Sequence, residues 1–228
     1  QEVGIRSIEE QESRASDCSI CTDDIEVFDL EFTRREVKIV ITFMFFLDIL
    51  INIDHGALPA ALVALKHDVG LVDVQLGSLG SLVFVGLLFG SLCATVVLNR
   101  LAYKVVLGAS FFGNGASLLL FSTTRSFAVM CVARFLSGFF QIFLTIYIPL
   151  YVDTFGTQTT KPIMLSLILL APPIGVVIGY GITGICISSG ADWRTSFVIQ
   201  GATMALCFGI ILLIPNRLIN IDEVNQMK

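Results

Sequence analysis

The chain has 228 residues, a mean hydropathy of +0.84, 55% hydrophobic but only 14% charged residues, and a formal net charge of −5. Soluble globular domains carry about 25% charge, so for most of this chain the solvent is lipid, and an aqueous globular fold is excluded. The acid is concentrated, with eleven of the 19 Asp and Glu in residues 1–37. That excludes a basic nucleic-acid-binding arm, and the missing apolar core there excludes a signal peptide.

Residues 1–35 read as a solvated, partly disordered tail on the cytoplasmic side. Its Cys18–Cys21 pair has no second pair of ligands, so no metal site is expected, and nothing calls for a cofactor. Six apolar segments follow within residues 36–215: 38–58, 76–98, 102–121, 127–152, 163–186 and 196–214. A bilayer core of about 30 Å takes roughly 20 residues of helix, which makes this an all-α membrane protein with six spanning helices. The connections are short except for residues 59–75, which carry Lys66, His67, Asp68 and Asp73. Residues 216–228 begin a polar linker or tail. Gly86/Gly90 and Gly175/Gly179 make GxxxG pairs that suit close helix packing. Pro149 and Pro172–Pro173 are kink sites. Cys93, Cys131, Cys186 and Cys207 read as small packing residues.

Lys and Arg near the helix ends set orientation. With the N-terminus inside, Arg34, Arg35, Lys38, Arg100, Lys104, Lys161 and Arg217 fall on the cytoplasmic side. Lys66, Arg125 and Arg194 fall outside. Both termini are therefore expected in the cytoplasm; the organelle stays open.

Ionisable groups inside a spanning helix cost several kcal/mol and normally face the bundle interior or a wet cavity. Three stand out: Asp48 and Asp54 in the first helix and Arg134 in the fourth. At about 100° per residue, Asp48, Asn52 and His55 share one stripe, and Arg134, Gly138, Gln141 and Thr145 share another. Asp54 lies off its neighbours' stripe. Asp48 would sit about 15 Å from the inner edge and Arg134 about 12 Å from the outer edge, so the two are expected at one level and paired. Asp54 would lie about 9 Å nearer the outer mouth. The solute or ion pathway is accordingly assigned to Asp48, Asn52, Asp54, His55, Arg134 and Gln141. The competing reading is a buried structural ion pair.

Four elements carry a family resemblance. "NIDHG" (Asn52–Gly56) is similar to the N-x-D-R-G of spinster-like and related organic-anion carriers, with His55 replacing the Arg. "RFLSGFF" (Arg134–Phe140) resembles the R-x-x-x-G of a fourth transporter helix. "IPLYVDTF" (Ile148–Phe155) resembles its end, and "DWRTSFVIQG" (Asp192–Gly201) the start of the sixth helix. The chain thus resembles the N-terminal half of a major facilitator superfamily transporter over about residues 38–214. The usual loop G-x-x-x-D-R-x-G-R-K between helices two and three reads "TVVLNRLAYK" here (Thr95–Lys104). Thr95, Asn99 and Ala102 replace Gly, Asp and Gly, while Arg100 and Lys104 remain. The resemblance implies two inverted three-helix repeats, a conformational gate at Asn99, Arg100, Lys104 and Asp153, and a second six-helix half or partner subunits.

These readings point to a secondary active transporter of a small solute, an anionic one among the options, working by alternating access. Proton coupling through Asp48 or Asp54 is one version of it. The alternative is a non-transporting, transporter-like subunit of a larger membrane complex. No HExxH, GxSxG or P-loop points to an enzyme.

Overall fold

The computed structural model describes residues 38–155, 160–214 and 219, and among these there are helices but no strands. The expected tail at 1–35, with Cys18 and Cys21, lies outside the described residues, as does 216–228 apart from Ile219. The chain divides after Val40, and residues 41–228 form one compact unit. Of the preceding unit only residues 38–40 are described, and they are helical.

Six helices are long and apolar enough to cross a membrane: α1 (Lys38–Val69), α2 (Asp73–Arg100), α3 (Tyr103–Thr123), α4 (Phe127–Phe155), α5 (Lys161–Ser188) and α6 (Arg194–Leu213). The expected loop at 59–75 is the main departure. Pro59 sits inside α1, and the connection to α2 shrinks to residues 70–72. A proline removes one ladder hydrogen bond, and the apolar stretch after it still packs, with Ala61 and Leu65 fully buried. The stop comes later, at Gly70. Its φ of +74° is the left-handed region natural to glycine, and its N–H caps the Lys66 carbonyl at 3.0 Å. In α5 the ladder lapses at Leu170, whose N–H bonds to the Leu167 carbonyl at 3.1 Å. Pro172 and Pro173 follow after Ala171 and offer no N–H to the carbonyls one turn back.

The main packing pairs are α1 on α5, α2 on α4, and α3 on both α6 and α4, while α1 barely touches α2. Glycines make the first two pairs close. A Cβ on Gly56 (α1) would strike the carbonyl of Val176 (α5), and one on Gly179 (α5) would strike the carbonyl of Ile53 (α1). In the other pair, a Cβ on Gly138 (α4) would strike the carbonyl of Val83 (α2), and one on Gly86 (α2) that of Phe135 (α4). The second two contacts are the first two shifted in register: 82 residues forward from α1 to α4, and 93 back from α5 to α2. The third pair maps onto itself, because Gly115 (α3) and Gly201 (α6) each face the other's carbonyl. Since α1 and α4 run antiparallel, this is the two-repeat inverted architecture expected from the sequence.

α3 is the most buried of the six helices. In its apolar window 67% of residues are buried, against 28% in α2 and 22% in α5. At one end of the bundle an apolar cluster joins Leu58, Leu65, Leu79, Leu118, Met130 and Phe197. There the Phe121 ring meets Phe197 at 5.0 Å and Trp193 at 5.8 Å.

Candidate functional site

The site begins with a break in α1 that Asn52 builds for itself. The Asn52 N–H bonds to the Ile49 carbonyl at 3.1 Å, three residues back instead of four. That orphans the Asp48 carbonyl, which the Asn52 side chain takes over by donating from Nδ2 at 2.7 Å. The same Nδ2 stands 3.2 Å from Asp48 Oδ1. A side chain competing with the backbone ladder in this way replaces one α-helical bond by a tighter turn. Gln200 on α6 donates to the Leu50 carbonyl at 3.0 Å and so anchors the neighbouring turn.

From this break a polar seam crosses to α4. Asn52 Oδ1 accepts from Gln141 Nε2 at 3.2 Å, and Gln141 Oε1 faces His55 Nε2 at 3.1 Å. The two contacts fix the Gln141 amide orientation and make His55 Nε2 the donor. Asp48, Asn52 and Gln141 are buried. His55 is less so, with its ring 5.7 Å from that of Phe84.

Beside the seam lies the ion pair. Arg134 Nη1 donates to Asp54 Oδ2 at 3.0 Å. Ser137 Oγ donates to the same oxygen at 3.4 Å, and Asn114 Nδ2 holds the Ser137 carbonyl at 3.2 Å. Arg134 Nε reaches the Leu79 carbonyl at 3.4 Å, and the guanidinium lies 5.4 Å from the Phe121 ring centroid, within cation–π range. Arg134 Nη2 has no hydrogen-bond partner among the described residues.

The structure therefore gathers Asp48, Asn52, Asp54, His55, Arg134 and Gln141 at one α1–α4 contact. It corrects the expected pairing, because Arg134 binds Asp54 and not Asp48. The reason is the lean of helical side chains. Each Cα–Cβ bond tilts toward its own helix N-terminus, and α1 and α4 are antiparallel. Asp54 and Arg134 thus lean toward each other along the bundle axis, closing the gap in depth. Asp48 leans away and is taken by Asn52.

The four expected gate residues do not form one cluster. Lys104 Nζ donates to the carbonyls of Leu212 and Ile214, at 2.9 and 2.7 Å, bracing the end of α6. Asp153 pairs with Lys161 at 2.9 Å across the α4–α5 connection. Asn99 and Arg100 are exposed and have no partner among the described residues.

Sequence reasoning missed Ser137, Asn114 and Gln200, because small polar residues are common in spanning helices and carry no signal alone. It also missed the partners of the Trp193–Arg194 pair. At the far end of α1, Asp68 accepts from Arg194 Nη2 at 2.6 Å, Trp193 Nε1 at 3.3 Å and Arg125 Nη2 at 3.4 Å. Arg194 Nη1 also donates to the carbonyls of Ser122 and Thr124, at 2.6 and 3.3 Å. One arginine thus clasps the end of α1, the α3–α4 turn and the start of α6.

A groove of about 710 Å³ lies between α1 and α2, with His55 and Arg134 among its lining and Lys66 and Asp73 near its other end. Among the described residues no three His, Cys, Asp or Glu side chains are grouped to hold a metal.

Two relatives share recognisable sequence with this chain. It is 29% identical over 134 residues to "Putative polyol transporter 1" of Arabidopsis thaliana and 28% identical over the same length to "Putative polyol transporter 2". The matched stretch covers 58% of this chain and 26% of either relative, so the similarity spans about a quarter of the relatives' length. The sequence pattern of the Major Facilitator Superfamily matches residues 40–225, which include all six helices apart from the first two residues of α1. With its six-helix inverted repeat and its polar α1–α4 contact, this chain belongs to the Major Facilitator Superfamily.

Proposed function

We propose that the chain forms one six-helix half of a secondary active transporter that moves a small organic solute by alternating access, with a second six-helix bundle completing the cavity. The observation that carries this reading is the seam Asp48–Asn52–Gln141–His55 inside an apolar bundle. Polar groups in lipid are costly and concentrate on solute and ion pathways. Family membership supports transport over catalysis. The names of the two relatives favour a polyol. The seam suits one, since two amides, a carboxylate and an imidazole offer donors and acceptors to several hydroxyls.

In this reading the two aspartates divide the labour. Asp54 is held by Arg134 and Ser137 as a fixed charge pair. Asp48, met only by the Asn52 amide among the described residues, takes up the coupling proton. Asn99 and Arg100 form the exposed part of the gate, Lys104 and Asp153 brace the ends around it, and both termini face the cytoplasm.

A second reading, an organic-anion carrier of the spinster-like kind, is favoured by the Asn52–Gly56 element and the unpartnered Arg134 Nη2. A third, a non-transporting subunit, is favoured by the loop at Thr95–Lys104, where Asn99 replaces an acid.

The test is uptake by the full-length protein in proteoliposomes, using labelled sorbitol, mannitol, xylitol and myo-inositol with and without an inward proton gradient. The expected result is saturable uptake of at least one polyol, driven by the gradient. Gln141→Leu should reduce it at least tenfold, and Asp48→Asn should uncouple it from the gradient while sparing exchange. Uptake of none of the four, by a protein that instead co-purifies tightly with partner subunits, would overturn the reading in favour of the subunit.

A further inference from the structure

Two buried amides stand outside the seam, Asn114 on α3 and Gln200 on α6. They are equivalents in the inverted repeat. They lie 86 residues apart, the same shift that carries Gly115 to Gly201 at the α3–α6 crossing. Each amide donates to a backbone carbonyl of a different helix. Asn114 Nδ2 reaches Ser137 on α4 at 3.2 Å, and Gln200 Nε2 reaches Leu50 on α1 at 3.0 Å.

The two carbonyls belong to the site's own backbone. Four residues make about one helical turn, so Ser137 lies one turn before Gln141, and Leu50 one turn before Asp54. Ser137 also gives its hydroxyl to Asp54 at 3.4 Å, and Leu50 sits in the broken turn between Asp48 and Asn52. Asn114 thus holds the α4 side of the α1–α4 contact, and Gln200 holds the α1 side.

Stability alone explains neither amide. Asn114 Oδ1 and Gln200 Oε1 are buried and have no hydrogen-bond partner among the described residues. A buried polar atom without a partner costs its desolvation, and Leu or Met in the same place would fill the space without that cost. Ser110 and Ser117, also buried on α3, bond to carbonyls of their own helix. A packing rule broken at two equivalent positions of the repeat, both times facing the site, marks function.

We propose that Asn114 and Gln200 are positioning residues of the solute pathway, two props, one per repeat. They fix the α4 and α1 backbones so that Gln141 meets Asn52 and His55, and Ser137 meets Asp54. The proposal rests on reading the seam as that pathway. Each prop acts through the backbone it holds, and loss of either loosens the Gln141–His55 contact.

The test follows His55 and needs no substrate, so its outcome is separate from that of the uptake assay. His55 is held at Nε2 by Gln141, and His67, near the end of α1, is exposed and serves as the internal standard. The full-length protein in phosphatidylcholine nanodiscs is treated with diethyl pyrocarbonate, and the ratio of His55 to His67 adducts is read by mass spectrometry. Asn114→Leu and Gln200→Met should each raise that ratio about tenfold, the equivalent of one lost hydrogen bond. The unfolding midpoint should stay within a few degrees. Where either variant fails to fold, Asn114→Ser or Gln200→Asn takes its place with the same expectation, since each stays polar but draws the donor back from the carbonyl. Ser117→Ala removes a buried hydroxyl bonded to its own helix and should leave the ratio unchanged. An unchanged ratio in the prop variants, an equal rise in Ser117→Ala, or a rise only in variants whose midpoint collapses would each overturn the proposal.

Discussion

Two aspartate–arginine pairs lie along α1, fourteen residues or about 21 Å apart, and the contrast between them shows what the bilayer does to the same chemistry. Asp54–Arg134 is dry, with side chains 0% and 2% exposed. Asp68–Arg194 stands at the helix end, with side chains 27% and 17% exposed. The inner pair joins α1 to α4, with Arg134 also touching Leu79 of α2 and Phe121 of α3. The outer pair collects more partners, including Trp193, Arg125 and two carbonyls. A count of contacts would rank the outer pair higher. Solvation reverses the order, because water can replace any partner lost at the outer pair and none lost at the inner one.

Breaking the inner pair should have the largest effect. Arg134→Leu leaves Asp54 buried and unpaired, which costs about 3–5 kcal/mol, and should collapse the unfolding midpoint in nanodiscs or abolish recovery of folded protein. If Arg134→Leu unfolds at the wild-type midpoint, the pair is not a buried charge pair. Next comes the packing that holds the pair in place. Gly138→Leu would drive a side chain into the Val83 backbone and should cost about 1–3 kcal/mol or more. The register of the repeat gives an internal control, since Gly56→Leu is its counterpart on α1 and should lose a similar amount. A large loss at one position and none at the other would break the two-repeat account. The smallest effect belongs to the outer clasp. Asp68→Asn should cost about 1 kcal/mol or less, and the loss should shrink further in high salt, as read by unfolding midpoints across a salt series. A salt-independent loss as large as that of Arg134→Leu would erase the distinction between the two pairs.

The fold was legible because a bilayer demands long apolar runs, and six such runs are a strong signal in any sequence. The polar members of the site were legible for the complementary reason that Asp48, Asp54 and Arg134 stand out against lipid. Who pairs with whom was not. A helical wheel assigns faces at a constant angle, but Asn52 breaks α1 between Asp48 and Asp54, and side-chain lean shifts both partners along the axis. Pro59 misled in a similar way. The apolar pattern ends the first segment at residue 58, yet the one donor missing at Pro59 is a small loss against ten further residues of packing before Gly70. The groove was invisible in principle, since it is a gap between α1 and α2, and a sequence does not spell gaps.

The most direct test of the central claim is a pair of double-mutant cycles in nanodiscs, with Arg134→Gln combined with Asp54→Asn in one and with Asp48→Asn in the other. The account predicts a coupling of about 1 kcal/mol or more between Arg134 and Asp54, and additive losses for Arg134 with Asp48. Strong coupling to Asp48 with additivity at Asp54 would contradict the pairing on which the site is built.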